Sequence, residues 1–314
     1  MTPANQNPVI VTGCHRGGTT WVGDTIASHE SLTYIGEPLN KHYPSPGRTL
    51  YAAPVWYPFQ PAGSPNKMLE RQYTHTLHNR VDLKNYFDTR MRKVRPSALR
   101  TPRLLLSASR GFWREWSESR GKTACIKDPF SLLHSAWLAT TFPNCRIVIM
   151  VRHPAAFAFS LQKKNWEFPF EDLLVQEALM ETVPHLRGKI EDFSRTRRDI
   201  LEQASLLWGL LYTYVCALPS LENILIVKYE AIAEDPKTEF MRIFSWLGLE
   251  MSEKTLNKIT ADTSGVDRRE NGRIASRDSR LNAWSWKNHI TIEEEKLILR
   301  HCKAPVANLY PNTP

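Results

Sequence analysis

The sequence predicts an α/β protein in three layers, with a central parallel sheet flanked by helices. Short, β-rich apolar runs alternate with longer segments of helical periodicity, which is the pattern of repeated βαβ units. The 314 residues are 42% hydrophobic, enough to bury a full α/β core, and no internal stretch has the composition of a flexible linker. We therefore expect one domain over residues 1–314.

Four apolar runs are predicted as buried parallel strands, because turn residues bound them and helix-like segments follow them. These strands cover residues 9–11, 124–126, 147–151 and 224–227. Helices are predicted over residues 21–29, 132–141, 155–163, 201–218, 237–247 and 292–302.

A glycine-rich turn follows the first predicted strand. Gly13 and Gly18 have the spacing of a nucleotide-binding P-loop, but Thr19 and Thr20 follow where that motif has Lys and a hydroxyl residue. Such a turn points backbone N–H groups and the positive end of the next helix at an anion, and Arg16 adds a cation. The pattern predicts a P-loop-type fold with a phosphate site and argues against ordinary ATP chemistry. The alternative is a plain connection whose glycines only permit positive φ.

A second cluster follows the third predicted strand. Arg152 comes at the carboxyl edge of the sheet, where ligands bind in open α/β folds. Pro154 suits the start of the next helix, and Ser160 lies about two turns along it, so that Arg152 and Ser160 can converge on one phosphate. The alternative role for Arg152 is a surface ion pair.

A third cluster lies near the C-terminus, over residues 276–288. It combines cations, hydroxyls and indoles, among them Arg277 and Trp284. Such a loop can clamp a nucleotide phosphate and cover its base. A basic surface loop anchored by one buried Trp is the alternative.

A long excursion, residues 40–122, separates the first two predicted strands. Residues 43–65 are crowded with Pro and aromatic side chains, whereas residues 71–110 are basic and partly helical. Long insertions of this kind commonly form binding loops or lids, so we expect this one to shape a substrate site. A solvated basic face is the alternative.

With these clusters the chain resembles the sulfotransferases that use 3′-phosphoadenosine 5′-phosphosulfate (PAPS). In that family a loop similar to residues 16–20 holds the 5′-phosphosulfate, and a strand-end Arg with a Ser eight residues later holds the 3′-phosphate. His153 stands where the family usually has Asp. The resemblance implies that PAPS is the co-substrate and adenosine 3′,5′-bisphosphate the product. It also implies a nucleotide site formed by Arg16, Gly17, Gly18, Thr19, Thr20, Trp21, Arg152, Ser160, Arg277 and Trp284.

The closest motif similarity is to carbohydrate-type sulfotransferases. Residues 34–39 resemble their Glu-Pro-Leu segment, whose Glu is proposed as general base, and Lys127-Asp128-Pro129 resembles another of their blocks. Tyr229-Glu230 resembles a further recurring segment of the family. The resemblance implies that Glu37 is the base, that Arg16 stabilises the departing phosphate, and that Lys127 reaches the same centre or the acceptor. It implies a carbohydrate hydroxyl as the acceptor and no metal ion.

Several alternatives to that function stay open. The aromatic residues of the insertion also suit an aryl or lipid-linked acceptor. Glu37 can instead pair with a Lys or Arg and order its loop, which leaves His15, His42 or His153 as the base. A P-loop kinase, and an inactive nucleotide- or glycan-binding protein, are the rival classes.

Charge and cysteine usage suggest the setting. The formal net charge of +9 suits an anionic substrate, although nucleic acids and membrane surfaces are attracted by the same field. The five cysteines are scattered without metal-ligand spacing, which favours reduced thiols and a cytoplasmic location. The longest apolar run, residues 206–218, is too short to span a bilayer, and the first residues are polar, so we expect no membrane anchor or signal peptide. No nucleic-acid partner is expected.

Overall fold

The core of the protein is a five-stranded parallel sheet. The computed structural model describes residues 7–50, 54–91, 101–263, 268–270, 273–275 and 279–311. The strands lie in the order β2-β3-β1-β4-β5. They are β1 (Val9–Gly13), β2 (Leu32–Gly36), β3 (Thr123–Lys127), β4 (Arg146–Val151) and β5 (Ile224–Lys228). All four strand pairings are parallel, which confirms the predicted fold class.

Strand β2 was missing from the sequence prediction, which contained the other four strands. It pairs only with β3, from Leu32 opposite Thr123 to Gly36 opposite Lys127, and therefore forms an edge of the sheet. The long insertion consequently lies between the second and third strands, and the prediction that it joins the first two strands is wrong.

Helices cover both faces of the sheet. Along β1, Ile10 packs into one apolar core, whereas Val9 and Val11 pack into another, as expected for side chains that alternate across a strand. Within the described residues the helices are α1 (Thr19–Ile26), α2 (Lys67–Leu77), α3 (Leu83–Met91), α4 (Thr101–Ser119), α5 (Ser135–Thr141), α6 (Pro154–Gln162), α7 (Glu171–Leu174), α8 (Glu177–Thr182), α9 (Pro184–Arg195), α10 (Ile200–Cys216), α11 (Tyr229–Glu234), α12 (Pro236–Leu247), α13 (Glu253–Thr263), α14 (Ser279–Trp284), α15 (Ile292–Leu299) and α16 (Lys303–Leu309).

Most predicted helices are confirmed with small shifts at their ends. The segment predicted as one helix over 132–141 is instead a 3₁₀ turn, Pro129–His134, followed by α5. Asp128 caps that turn through a hydrogen bond from the Phe130 N–H, and Pro129 occupies its first position. A second 3₁₀ turn covers Ser285–Asn288, and β6 (Arg268–Glu270) pairs antiparallel with β7 (Arg273–Ala275).

The insertion folds into α2, α3 and α4, and of these α3 and α4 build a small core of their own from Tyr86, Ala108 and Phe112. Buried Arg48 ties this core together: its guanidinium donates to Glu115 Oε2 at 2.8 Å and to Asn79 Oδ1 at 3.1 Å. In the part of the chain that the structure describes, the helices all fall short of the length and apolarity that crossing a bilayer requires.

The carboxyl ends of the five strands deliver chemically distinctive residues to one edge of the sheet. The glycine-rich loop follows β1, Glu37 follows β2, Asp128 follows β3, Arg152 follows β4 and Tyr229 follows β5. Parallel strands end on the same side, so the topology alone brings these residues together.

Candidate active site

A cavity of about 830 Å³ opens over this edge of the sheet. One part of its wall comes from the glycine-rich loop, the start of α1 and Arg152. The other part comes from Glu37 and from aromatic side chains of the insertion and of the segment after α6. Arg16 and Arg152, which the sequence assigns to phosphate contacts, therefore share one cavity with Glu37, the predicted base.

The glycine-rich loop forms a cradle at the start of α1. The Gly17 N–H donates to the Cys14 carbonyl at 3.0 Å, and Gly18, with φ of 89°, caps the helix without any side-chain hydrogen bond. A Cβ on Gly18 would lie 2.4 Å from the Tyr229 ring, so the loop requires glycine there. The first N–H groups of α1 have no partner within the helix and are suited to an anion.

Arg16 lies at the tip of this loop. Its backbone has φ of 62°, in the left-handed region, and its side chain is exposed. Its Nε donates to Ser160 Oγ at 3.0 Å, and its carbonyl accepts from Arg152 Nη1 at 2.9 Å. The three residues that the sequence assigned to two phosphate contacts thus form one connected cluster.

Arg152 is held on several sides. Its Nη2 donates to the Asn282 carbonyl at 3.0 Å, and its guanidinium lies 4.7 Å from the centre of the Tyr229 ring. Its Nε is buried and has no hydrogen-bond partner among the described residues, and the same holds for Trp21 Nε1. Both residues line the cavity, and a buried donor without a partner is energetically costly. These donors fit a polar ligand such as a nucleotide phosphate.

Glu37 lines the cavity and comes directly after β2. Its N–H donates to the Lys127 carbonyl at 2.7 Å, its Oε1 forms an ion pair with Lys127 Nζ, and its Oε2 accepts from Asn40 Nδ2 at 2.7 Å. The register that sets Gly36 opposite Lys127 places the two residues side by side. A carboxylate retains further lone pairs after accepting two hydrogen bonds, so both contacts leave room for a ligand hydroxyl to donate to Glu37.

The backbone of Glu37 is strained. Its φ of 52° is in the left-handed region, which costs a non-glycine residue about 1–3 kcal/mol. Buried Asp128 supports the segment, because its Oδ2 accepts from the Leu39 N–H at 2.6 Å. Burial raises the pKa of Asp128 to about 7, and its two backbone hydrogen bonds oppose that rise. Asp128 is thus a positioning residue for the Glu37 loop.

His15 lines the cavity beside Arg16. Its N–H donates to Tyr57 Oη at 2.8 Å, and its Nδ1 lies 2.7 Å from the same oxygen. Burial, reinforced by the charge of Arg16 and opposed by Glu37, lowers the pKa of His15 to about 4. The imidazole is therefore neutral at pH 7. His42, another alternative base, lies at the outer wall with its ring 5.2 Å from Trp56.

His153 has a structural role at the position where the family usually has Asp. Its Nδ1 accepts from the Ala155 N–H at 3.3 Å, which caps α6, and its ring stacks on Trp286 at 4.8 Å. Burial lowers the pKa of His153 to about 4, and Lys287 adds to the effect. His153 is outside the cavity wall formed by the described residues.

Several aromatic side chains also line the cavity. Trp56 packs on Phe130 with ring centres 4.5 Å apart, and Lys41 Nζ lies 5.0 Å from the Trp56 ring. Tyr43 and Trp166 also line the cavity, and both are exposed. The predicted insertion thus contributes aromatic surface beside the phosphate cradle.

The C-terminal cluster is only partly described. Arg277 lies outside the described residues. Trp284 ends α14 with Lys287 Nζ 4.5 Å from its ring, and it is not part of the cavity wall formed by the described residues. Asn282, two residues earlier, does line the cavity and binds Arg152. Gly17, Ser160 and Lys127 are likewise not part of the wall that the described residues form.

Sequence reasoning did not single out Tyr229, Asn282 or Trp166 as site residues. Tyr229 had a usable signal, since it directly follows a predicted strand, as Arg152 does. Asn282 lies within the predicted C-terminal cluster, although Arg277 and Trp284 were the residues singled out there, whereas the position of Trp166 depends on tertiary packing and no local pattern marks it.

Comparisons with known proteins identify a matching family and several similar structures. A family model described as "Sulfotransferase family" matches residues 8–253. A sulfotransferase domain from the curacin biosynthetic pathway is similar at 13% identity and TM-score 0.46, with 94% of this chain and 96% of that chain covered. A sulfotransferase domain from the Synechococcus PCC 7002 olefin synthase is similar at 17% identity and TM-score 0.44, with 95% and 96% covered. Mouse sulfotransferase SULT7A1 complexed with PAP is similar at 12% identity and TM-score 0.44, with 98% and 87% covered.

Proposed function

The chain belongs to the sulfotransferase family. From that premise we propose that its cavity binds PAPS and that the protein transfers the sulfuryl group to an acceptor hydroxyl, with a carbohydrate hydroxyl as the first candidate. The observation that carries the proposal is the junction of a phosphate cradle with a carboxylate in one cavity. Glycine-rich loop, Arg152 and Glu37 all reach it from the carboxyl ends of neighbouring strands.

The nucleotide half of the proposal concerns which residues hold the two phosphates. The N–H groups at the start of α1, with Thr20 and Arg16, would hold the 5′-phosphosulfate. Arg152 and Ser160 would hold the 3′-phosphate, and the buried Nε–H of Arg152 could donate a hydrogen bond to that phosphate. Because Arg16 now bonds to Ser160, it is able to serve either phosphate. The roles of Arg277 and Trp284 remain proposals carried by the resemblance.

The chemical half concerns Glu37 and the cations. PAPS would supply the sulfuryl group, whose S–O bond to the 5′-phosphate breaks so that adenosine 3′,5′-bisphosphate leaves. Glu37 takes the proton of the acceptor hydroxyl as the new O–S bond forms. Arg16 and the N–H groups of the cradle stabilise the charge on the departing phosphate oxygen. Lys127 holds the Glu37 carboxylate in place through their ion pair.

The choice of acceptor rests on the aromatic side chains of the cavity wall. Sugars stack on aromatic faces, and Trp56 and Tyr43 offer such faces close to Glu37 and Asn40, which can bond hydroxyls. The aromatic side chains of this wall also favour the second candidate, an aryl or lipid-linked alcohol.

The test is a competition among acceptors. The purified chain is given PAPS with an equimolar panel of oligosaccharides, phenols and long-chain alcohols, and the sulfated products are identified by mass spectrometry. We expect sulfated oligosaccharide. Sulfation of phenols or alcohols alone would contradict the carbohydrate assignment while leaving sulfuryl transfer intact. Phosphorylation of the panel with Mg-ATP and no sulfation with PAPS would favour the kinase.

A further inference from the structure

The outer face of α4 forms a second surface, separate from the cavity. Four of its large apolar side chains are exposed: Leu105 by 44%, Leu106 by 59%, Trp113 by 60% and Trp116 by 38%. With 3.6 residues per turn, each residue advances about 100° around the helix, so these four fall within an arc of about 100°. They form an apolar stripe along one side of the helix, which we call the α4 stripe.

Cations border the α4 stripe. By the same helical geometry, Arg103, Arg110 and Arg114 lie together on the flank next to Leu106, and all three are exposed. At the end of the helix, the Arg120 guanidinium lies 4.8 Å from the Trp116 ring centre. The helix thus combines a wide apolar stripe with a row of positive charge.

The face of α4 next to Leu105 is fixed to the rest of the protein. Phe112 packs edge-on against Tyr86 with ring centres 5.6 Å apart, and Glu115 binds the buried Arg48 guanidinium. A Cβ on Gly111 would lie 2.3 Å from Tyr86 Oη, which shows how closely the two helices approach. The α4 stripe therefore cannot turn inward without breaking a buried ion pair.

We propose that the α4 stripe is a membrane-binding face that lies flat on an anionic bilayer. Interfacial helices have this composition, with Trp and Leu entering the boundary between headgroups and acyl chains and Arg contacting anionic headgroups. The formal net charge of +9 acts in the same direction. Leu105 and Leu106 favour a bilayer over a nucleic acid, because aliphatic side chains gain burial in lipid but little from phosphates. A second copy of the same face would set Arg against Arg.

The test uses the full chain with vesicles of phosphatidylcholine, alone or mixed with phosphatidylglycerol, and measures the bound fraction by co-sedimentation. The variant Arg110→Glu/Arg114→Glu should lower the partition coefficient on anionic vesicles at least about 25-fold, since about 1 kcal/mol per cation corresponds to about fivefold. Its matched control, Lys254→Glu/Arg195→Glu, makes the same charge change on exposed sites of α13 and α9 and should bind far more tightly.

A second pair isolates the apolar contribution. Leu106→Ser/Trp113→Ser should lose most of the binding that persists at high salt, whereas Ile292→Ser, exposed by 68% on α15, should not. Unchanged thermal unfolding confirms that each variant is folded. No transfer of sulfate is measured, so the outcome is independent of the proposed reaction.

Three results would overturn the proposal. The first is equal binding to neutral and anionic vesicles, or none to either. The second is vesicle binding that neither Arg110→Glu/Arg114→Glu nor Leu106→Ser/Trp113→Ser changes. The third is a stripe-dependent affinity for single-stranded RNA, or stripe-dependent dimerisation, in place of vesicle binding.

Discussion

Replacing Arg152 by Ala tests the assignment of the 3′-phosphate. The guanidinium uses Nη1 and Nη2 on the carbonyls of Arg16 and Asn282, while its buried Nε has no partner among the described residues. A hydrogen bond from a charged donor contributes about 1.5–3 kcal/mol. At 1.4 kcal/mol per tenfold, the loss of one such bond to the 3′-phosphate weakens binding about 10- to 140-fold.

Calorimetric titrations with adenosine 3′,5′-bisphosphate and with AMP distinguish a hydrogen bond from Arg152 to the 3′-phosphate from a role of Arg152 in holding the glycine-rich loop. Arg152→Ala removes both carbonyl contacts as well, and that loss should weaken the two nucleotides alike. The wild-type protein should prefer the bisphosphate at least about tenfold, and Arg152→Ala should lose most of that preference while Ser160 stays in place. Arg152→Lys, which keeps the charge but loses the planar fork, should be intermediate.

The matched control is Arg146→Ala, at the other end of β4. Arg146 donates to the Glu222 carbonyl at 3.1 Å and lies over the Trp246 ring, away from the cavity. It should leave both affinities unchanged. Equal affinities of the wild-type protein for the two nucleotides, or an equal loss of both in Arg152→Ala, would refute the assignment.

The remaining predictions concern catalysis and pH. Glu37→Gln keeps the shape of the side chain but removes the proton acceptor, so kcat should fall about 100-fold or more with nucleotide affinity unchanged, and more for a sugar hydroxyl than for a phenol of pKa near 10. A kcat near the wild-type value on every acceptor would place the base elsewhere. Arg16→Ala should lower kcat more than it weakens binding of adenosine 3′,5′-bisphosphate, and a pure affinity loss would argue against its role at the departing phosphate. Among the described residues, burial lowers the pKa of five histidines, His15, His75, His134, His153 and His301. It raises the pKa of two carboxyls, Asp128 and Glu230. Below about pH 6.5 the unfolded chain then binds more protons than the folded one, so the free energy of unfolding should decrease from pH 7 to pH 5, and an increase in urea midpoints would contradict this.

Local sequence was sufficient to locate the glycine-rich loop between β1 and α1. Gly18 precedes a helix directly after a buried apolar strand, and both the strand and the helix form where the pattern predicts them. Arg152 was equally accessible, because a residue that follows a parallel strand must lie at the carboxyl edge. In each case the relevant contacts lie within a few residues of a recognisable strand end.

Contacts between distant segments were beyond the sequence. Glu37 and Lys127 are 90 residues apart along the chain, and only the pairing of β2 with β3 makes them neighbours. Strand β2 itself is short and half-buried, so it lacks the continuous apolar run that marks a central strand. The ion pair that had been the alternative to a catalytic Glu37 therefore became visible only with the fold. Likewise, the role of His153 as a helix cap depends on its backbone conformation.

Transfer of label from PAPS tests the central claim most directly. The chain is incubated with PAPS radiolabelled on sulfur and the preferred acceptor, and labelled acceptor and free adenosine 3′,5′-bisphosphate are both quantified, with and without EDTA. We predict equal amounts of the two products, unaffected by EDTA because no metal takes part in the proposed chemistry. Release of the nucleotide without labelled acceptor, or turnover that strictly requires Mg²⁺, would contradict it.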